Sequence, residues 1–233
     1  VPKLTLSMIV RNEQDRYLGK VLEKHRAYID EAIIIDDAST DETVQLCMEK
    51  LAGIPLTIIR NDTSCFHNEV QLRMQQWAAT VNSRPEWILN MDADETFEDS
   101  FRDEVSMLME NHQPQVYYFR LYDMWNDCSY REDAYWQAHR TYRPFLHKYQ
   151  TDYSYYWKKT PQHCGRFPTN VGEQPYLCSK LRVQHWGWSR LTDRQLKYKR
   201  YMELDPDGRY GWLEQYESIL DPNPSLMKWS DSI

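Results

Sequence analysis

Apolar residues in the first half of the chain alternate between two rhythms. Short runs at 4–10, 32–35, 56–59 and 87–91 are too brief for ordinary helices and read as strands. Between them the spacing becomes helical. Leu18, Val21, Leu22, His25 and Ile29 form one stripe, on a helix expected to open at Arg11-Asn-Glu13. His25 on that stripe is expected to be a satisfied core or boundary histidine. Val44, Leu46, Cys47 and Leu51 form a second stripe, behind a capping box at Ser39-Thr-Asp-Glu42. Val70, Met74, Trp77, Ala78 and Val81 predict a third helix over about 67–81. Phe101, Val105, Leu108 and Met109 face inward on a helix over 97–109, and 116–121 is a further strand.

This β-α-β-α-β-α-β order implies a parallel sheet with helices on both faces and right-handed crossovers. Three polar segments then converge on the C-terminal end of the sheet: Arg11 to Glu13, Asp36 with Asp37, and Asp92 to Glu95. Open α/β sheets place their ligand crevice there. After residue 121 the rhythm breaks down. Residues 122–180 are rich in Tyr, Trp, His and Arg, with only short strand-like runs such as 141–146. We expect a single domain, with an α/β half at 1–121 and an irregular, aromatic-rich half at 122–233 that suits cover loops and an acceptor surface. A second capping box, Thr192-Asp-Arg-Gln195, predicts a charged helix ending near Leu204 at Asp205-Pro-Asp-Gly.

Composition narrows the function. Net charge is −7, which argues against a nucleic-acid surface but leaves room for a local basic pocket. No apolar run reaches membrane-spanning length and no signal peptide is visible, so the chain reads as cytoplasmic, with no transmembrane segment. The five cysteines lack metal-ligand spacing and are expected to be reduced thiols. With nine Trp and 17 Tyr, aromatic residues can stack on sugars, although packing explains most of them.

The chemistry gathers at Trp87-Ile-Leu-Asn-Met-Asp-Ala-Asp-Glu95. Three carboxylates at a strand end repel one another, and Mg²⁺ or Mn²⁺ would relieve that repulsion. The alternative is an acidic turn whose charge complements a following helix. Neither a GxGxxG nor a GxxxxGK[ST] loop is present, so a bound nucleotide would be gripped through a metal and side chains.

Three segments, Leu6-Ser-Met-Ile-Val-Arg-Asn-Glu13, Ile34-Ile-Asp-Asp-Ala-Ser-Thr-Asp-Glu-Thr43 and Trp87 to Glu95, resemble in order and spacing the family-2 glycosyltransferases of the GT-A fold. The likeness covers about the first 120 residues, with scattered matches beyond, such as Gln184-His-Trp-Gly-Trp188 and Tyr216-Glu-Ser-Ile-Leu-Asp221. It implies a Rossmann-like nucleotide-diphospho-sugar transferase. The enzyme would move a sugar from a nucleotide-diphosphate donor, a UDP-sugar first among them, to a hydroxyl of a glycan, protein or small molecule, with inversion. Val10, Arg11, Asp37, Arg73 and Asp92 would bind the nucleotide, with Asp37 at the base and Asp92 at the ribose. Asp94 of the DxD motif would hold the divalent metal. His185 would complete the metal or diphosphate site, or else be structural among tryptophans.

An acceptor hydroxyl must also lose a proton to a base within hydrogen-bond reach. Glu132-Asp133 resembles the family's acidic pair, which points to Asp133, with Glu173, Asp123 and Asp152 as alternatives. Two other classes compete with this reading. A nucleotidyltransferase would want a glycine-rich basic loop after the first strand, and a carbohydrate-binding module would have no use for carboxylates at three strand ends.

Overall fold

The computed structural model describes residues 2–158, 164–209 and 211–230. Four parallel strands come first: β1 (Leu4–Val10), β2 (Glu31–Asp36), β3 (Leu56–Arg60) and β4 (Trp87–Asn90), ordered β4-β1-β2-β3. Helices α1 (Leu18–His25), α2 (Thr43–Lys50) and α3 (Glu69–Asn82) connect them. After a turn at Asp92–Glu95 come β5 (Glu95–Phe97), α4 (Phe101–Glu110), β6 (Val116–Asn126), β7 (Ser129–Arg131), β8 (Tyr142–Lys148) and β9 (Tyr176–His185). The chain closes with α5 (Leu191–Leu204), α6 (Leu213–Ser218) and β10 (Leu226–Lys228). Among the described residues no helix is long and apolar enough to cross a membrane. All five cysteines are free.

The alternation within β1 sorts the layers. Leu4, Leu6 and Met8 join the main core with Leu18, Val21 and Leu22 of α1, Cys47 of α2 and Phe101, Val105 and Met109 of α4. Thr5 and Ser7 point the other way, where Ser7 Oγ meets Thr80 Oγ1 of α3 at 2.7 Å. Helices therefore cover both faces, as the strand-helix alternation requires.

Several local expectations are corrected. Residues 11–17 form turns and α1 begins at Leu18, because Asn12 adopts φ 51° and its side chain accepts from the Thr40 amide instead of starting a helix. The Ser39–Glu42 capping box does not form. Ser39 Oγ accepts from the Asn12 amide, and Asp41 accepts from the Thr43 amide and hydroxyl at the start of α2. On α3 the buried residues are Leu72, Gln76 and Thr80, while Met74 and Ala78 are exposed. The polar residues win because they satisfy Ser7 and Asn90 on the sheet beneath. Phe97 lies in β5 and α4 starts at Phe101. The box at Thr192–Gln195 is likewise absent: α5 starts at Leu191, and the buried Asp193 accepts from Tyr17 Oη at 2.6 Å.

The second half is more regular than its sequence predicts. β8 pairs antiparallel with both β4 and β6, and β9 runs parallel to β6, extending the first sheet. Residues 176–180 of β9 are mostly exposed and lack alternation, so the periodic signal of a strand is missing there. At the end of β6, Trp125 packs with Trp136, Trp188 and Ile219 in a separate, mostly aromatic cluster. Arg131 is buried beneath it, 4.7 Å from the Trp125 ring, with its guanidinium donating to Asp133, Asp221 and the Ser218 carbonyl. These aromatics pack.

Candidate active site

β1 has β2 on one side and β4 on the other, so the chain changes direction across the sheet between β1 and β4. A crevice opens beyond the C-terminal ends of strands at such a switch point. Val10, Asp37 and the turn 92–95 all lie at that end. Val10 is buried, and its carbonyl accepts from the Asp37 amide at 2.9 Å. Arg11 is exposed and donates to Ser64 Oγ at 2.6 Å. Asp37 accepts from Asn61 Nδ2, Ser64 Oγ and the Cys65 amide. Burial opposes its ionisation, but these donors and Arg11 hold its carboxyl below the ordinary range.

After β4 the chain folds into a tight turn. The Glu95 amide donates to the Asp92 carbonyl, and the Glu95 carboxylate accepts from the Asp92 amide at 2.9 Å. Arg166 grips Glu95 with two bonds of 2.9 Å each and also donates to the Asn90 carbonyl. Arg73 donates to Asp92 Oδ1 at 2.9 Å, while Arg166 lies 3.6 Å from Asp92 Oδ2. Burial would push Asp92 up, yet Arg73 and then Arg166 override it and keep its carboxyl ionised at lower pH than usual.

Sheet register brings the metal candidates together. β5 pairs antiparallel with the end of β9, setting Glu95 opposite His185, and β6 sets Asp123 opposite the same histidine. The Trp186 amide donates to the Asp94 carbonyl at 2.7 Å, which ties the 92–95 turn to β9. His185 Nε2 then lies 3.3 Å from Asp94 Oδ2, and its Nδ1 lies 2.7 Å from Asp123 Oδ1. Burial alone would lower the pKa of His185, but the flanking carboxylates push it up to about 10. Asp94 answers in kind: burial opposes its charge, while His185, Lys197 and Arg16 hold its carboxyl well below the usual range. Asp94 Oδ2, His185 Nε2 and Lys197 Nζ surround Gly187, where an added Cβ would come within 3.0 Å of all three. Glu13 adds a carboxylate at the end of the β1 loop. Its Oε2 is buried without a hydrogen-bond partner, and burial pushes its carboxyl up to about 7.

Among the described residues no group of three or more His, Cys, Asp or Glu could hold a metal ion. Asp94 and His185 nevertheless fit one as a pair. Their facing atoms are spaced as two ligands of one cation, and a carboxylate on the far ring nitrogen is the usual support of a ligating histidine. Mg²⁺ and Mn²⁺ commonly take one or two protein ligands and complete their shell with water and phosphate oxygens.

The four base candidates separate by position. Asp123 touches His185. Asp133 follows β7, which turns back antiparallel to β6, and its oxygens accept from Arg131 Nε at 2.6 Å and from the Tyr135 and Trp136 amides. Trp136 packs 4.8 Å from Trp188, which in turn lies 6.4 Å from the His185 ring. Glu173 precedes β9 and accepts from Tyr156 Oη. The register of β9 on β6 sets Tyr176 beside Val116 and His185 beside Asp123, so at about 3.3 Å per residue the start of β9, just after Glu173, is roughly 23 Å from His185. Asp152 lines a separate cavity beside Glu86, before β4 begins. Sequence reasoning missed Arg166, Lys197 and Gly187. Arg166 lies in an aperiodic stretch, and Lys197 is one of many charges on α5. Gly187 carried a usable signal, as one of only seven glycines, inside the His-Trp-Gly-Trp run.

The family model described as Glycosyl transferase family 2 matches residues 5–170. An uncharacterised protein of Mycobacterium tuberculosis is 22% identical over 233 residues, covering 92% of this chain and 54% of its own length. The lipopolysaccharide core biosynthesis glycosyltransferase LpsC of Rhizobium meliloti is 31% identical over 105 residues, 44% of this chain and 36% of that protein. The chain thus spans about half the length, or less, of these curated relatives. Among solved structures, S. aureus TarS 1–349 in complex with UDP aligns with a TM-score of 0.59 at 13% identity, over 94% of this chain and 69% of that one. At that identity the likeness speaks for the fold, which is GT-A. With more than half of its residues under the family model, the chain belongs to glycosyl transferase family 2.

Proposed function

We propose that this chain is the catalytic part of a divalent-metal-dependent, inverting glycosyltransferase that uses a UDP-sugar as donor and a glycan hydroxyl as acceptor. The observation that carries the reading is the convergence of Asp94 Oδ2, His185 Nε2 and Lys197 Nζ around Gly187 at the switch point of the sheet. The donor class draws support from TarS, whose fragment is described in complexes with UDP and UDP-GlcNAc. The acceptor class draws support from LpsC, named for lipopolysaccharide core biosynthesis.

In this reading Asp37, already bonded by three donors, keeps a remaining lone pair for an N–H of the base. Arg73 and Arg166 fix Asp92 so that its carboxylate can accept from the ribose. Asp94 and His185 would hold Mn²⁺ or Mg²⁺, and the bound cation would supply Lewis-acid stabilisation of the leaving diphosphate. Lys197 adds a preorganised positive charge where the leaving oxygens become more negative. A single displacement inverts the anomeric carbon. It needs a base on the opposite side of the sugar, and that role is assigned to Asp133, with Asp123 as the alternative.

The test is release of UDP from a panel of UDP-sugars, with water as acceptor, in the wild type and in Asp133→Asn and Asp123→Asn. Loss of a base lowers turnover by about 10² to 10⁴ while donor affinity survives. Such a loss confined to Asp133→Asn supports the assignment. Near-normal turnover in Asp133→Asn with a collapse in Asp123→Asn moves the base to β6. Wild-type protein that releases no UDP from any donor contradicts the function.

A further inference from the structure

A cavity of about 280 Å³ adjoins the transfer site, and its walls include Arg16, Tyr17, Lys20, Asp127, Trp186 and Arg190. It lies one residue from the metal pair, because Trp186 follows His185 and its amide bonds the Asp94 carbonyl. The protein as a whole carries −7, yet these walls set three cations against one carboxylate.

The cations are held in place by means other than carboxylates. Lys20 Nζ sits 3.5 Å from the Trp186 ring centroid, and the Arg190 guanidinium 4.7 Å from that of Tyr17. Arg190 also donates to the Asp15 and Arg16 carbonyls at 2.8 and 3.3 Å. Among the described residues neither Lys20 nor Arg190 forms an ion pair. Arg16 pairs with Glu13 and Asp193 at 3.3 and 3.7 Å on the catalytic side, so it bridges the two sites. Lys20 and Arg190 are exposed, and Asp127 attracts Lys20 without closing an ion pair, so an anionic ligand can add charge-assisted hydrogen bonds here without displacing a salt bridge. Rings and carbonyls have already fixed both side chains, so little ordering is left for the ligand to impose.

We propose that this cavity is a subsite for an oxyanion, phosphate or carboxylate, carried by the acceptor sugar. The proposal rests on the glycosyltransferase reading, since it takes the neighbouring centre as the place of transfer. The volume suits one charged group with part of a sugar ring, and Tyr17 and Trp186 provide the apolar wall.

The experiment titrates glucose 6-phosphate, glucuronate and glucose into protein whose donor site is saturated with UDP and Mn²⁺. At least one anionic sugar should bind about tenfold or more tightly than glucose, as charge-assisted bonds warrant, and the tighter one identifies the group. The double variant Lys20→Gln/Arg190→Gln should lose that margin while its UDP affinity and thermal midpoint are kept. Asp127→Asn, which removes the opposing carboxylate, should tighten anion binding by about threefold, a gain that misfolding cannot imitate. Equal binding of all three sugars, or an anion preference that neither variant moves, overturns the proposal. If UDP itself fails to bind, the donor reading is contradicted separately, because the same variant comparison made without UDP still decides the cavity.

Discussion

Gly187 illustrates how one residue can determine the geometry of a site. A methyl group there would press on Asp94 Oδ2, His185 Nε2 and Lys197 Nζ at once. Lys197 is the flexible member, but Asp94 is held through its carbonyl by Trp186 and His185 is held by Asp123. Gly187→Ala should therefore displace the metal pair while leaving the fold intact. We expect UDP affinity in Mn²⁺ to fall by about tenfold to a hundredfold, the scale on which altered support of a metal ligand acts. UDP affinity without metal and the thermal midpoint should change little. Isothermal titration of the variant checks this, and metal-dependent affinity equal to wild type would show that the space beside Gly187 is not the cation site.

Between elements, two buried histidines fasten the sheet to its cover. His25 on α1 donates through Nε2 to the Glu95 carbonyl on β5 and accepts from Tyr28 Oη, so it supports the acidic turn from below. His147 on β8 donates to Gln174 Oε1 at 3.1 Å, and its Nδ1 is buried without a partner. Burial lowers both to about 4, from an ordinary 6.5. A histidine depressed in the folded state leaves stability intact above the unfolded pKa and removes it as pH falls from 6.5 toward 4, because the unfolded chain takes up the proton first. Glu13, raised to about 7, works in the opposite sense over 4.5 to 7. His185, raised to about 10, loses its contribution only as pH rises above 6.5. The difference between wild type and His147→Gln isolates one of these groups. Urea unfolding should show the stability difference between the two shifting by about 2 kcal/mol from pH 7 to pH 5, with the variant less sensitive to acid. Parallel pH dependences would mean that His147 is not held neutral by burial.

Over the whole molecule, the parallel half was legible because β1, β2 and β4 are buried on both faces and α1 and α4 present apolar stripes, whereas β3 is half-exposed and α3 turns Gln76 and Thr80 inward. Asp37, Asp92 and Asp94 could be placed from strand ends alone, since topology carries every parallel strand end to the same edge. The partners that complete the site come from strand pairings distant in sequence: His185 reaches Asp94 only through β5 and β9, and Arg166 reaches Glu95 across an aperiodic loop. Half-exposed β9 gives no periodic signal, so its register could not be read beforehand. Asp133 was legible as an acidic residue, but its bonds to Arg131 and the 135–136 amides depend on tertiary structure. The proposed function rests on Asp94 and His185, which would hold a divalent cation beside the diphosphate of a bound nucleotide. Calorimetric titration of UDP into wild type and Asp94→Ala, each with and without Mn²⁺, tests it most directly. Mn²⁺ should tighten UDP binding in the wild type by about tenfold or more and have no effect on Asp94→Ala, whereas an equal Mn²⁺ enhancement in both proteins would contradict the account.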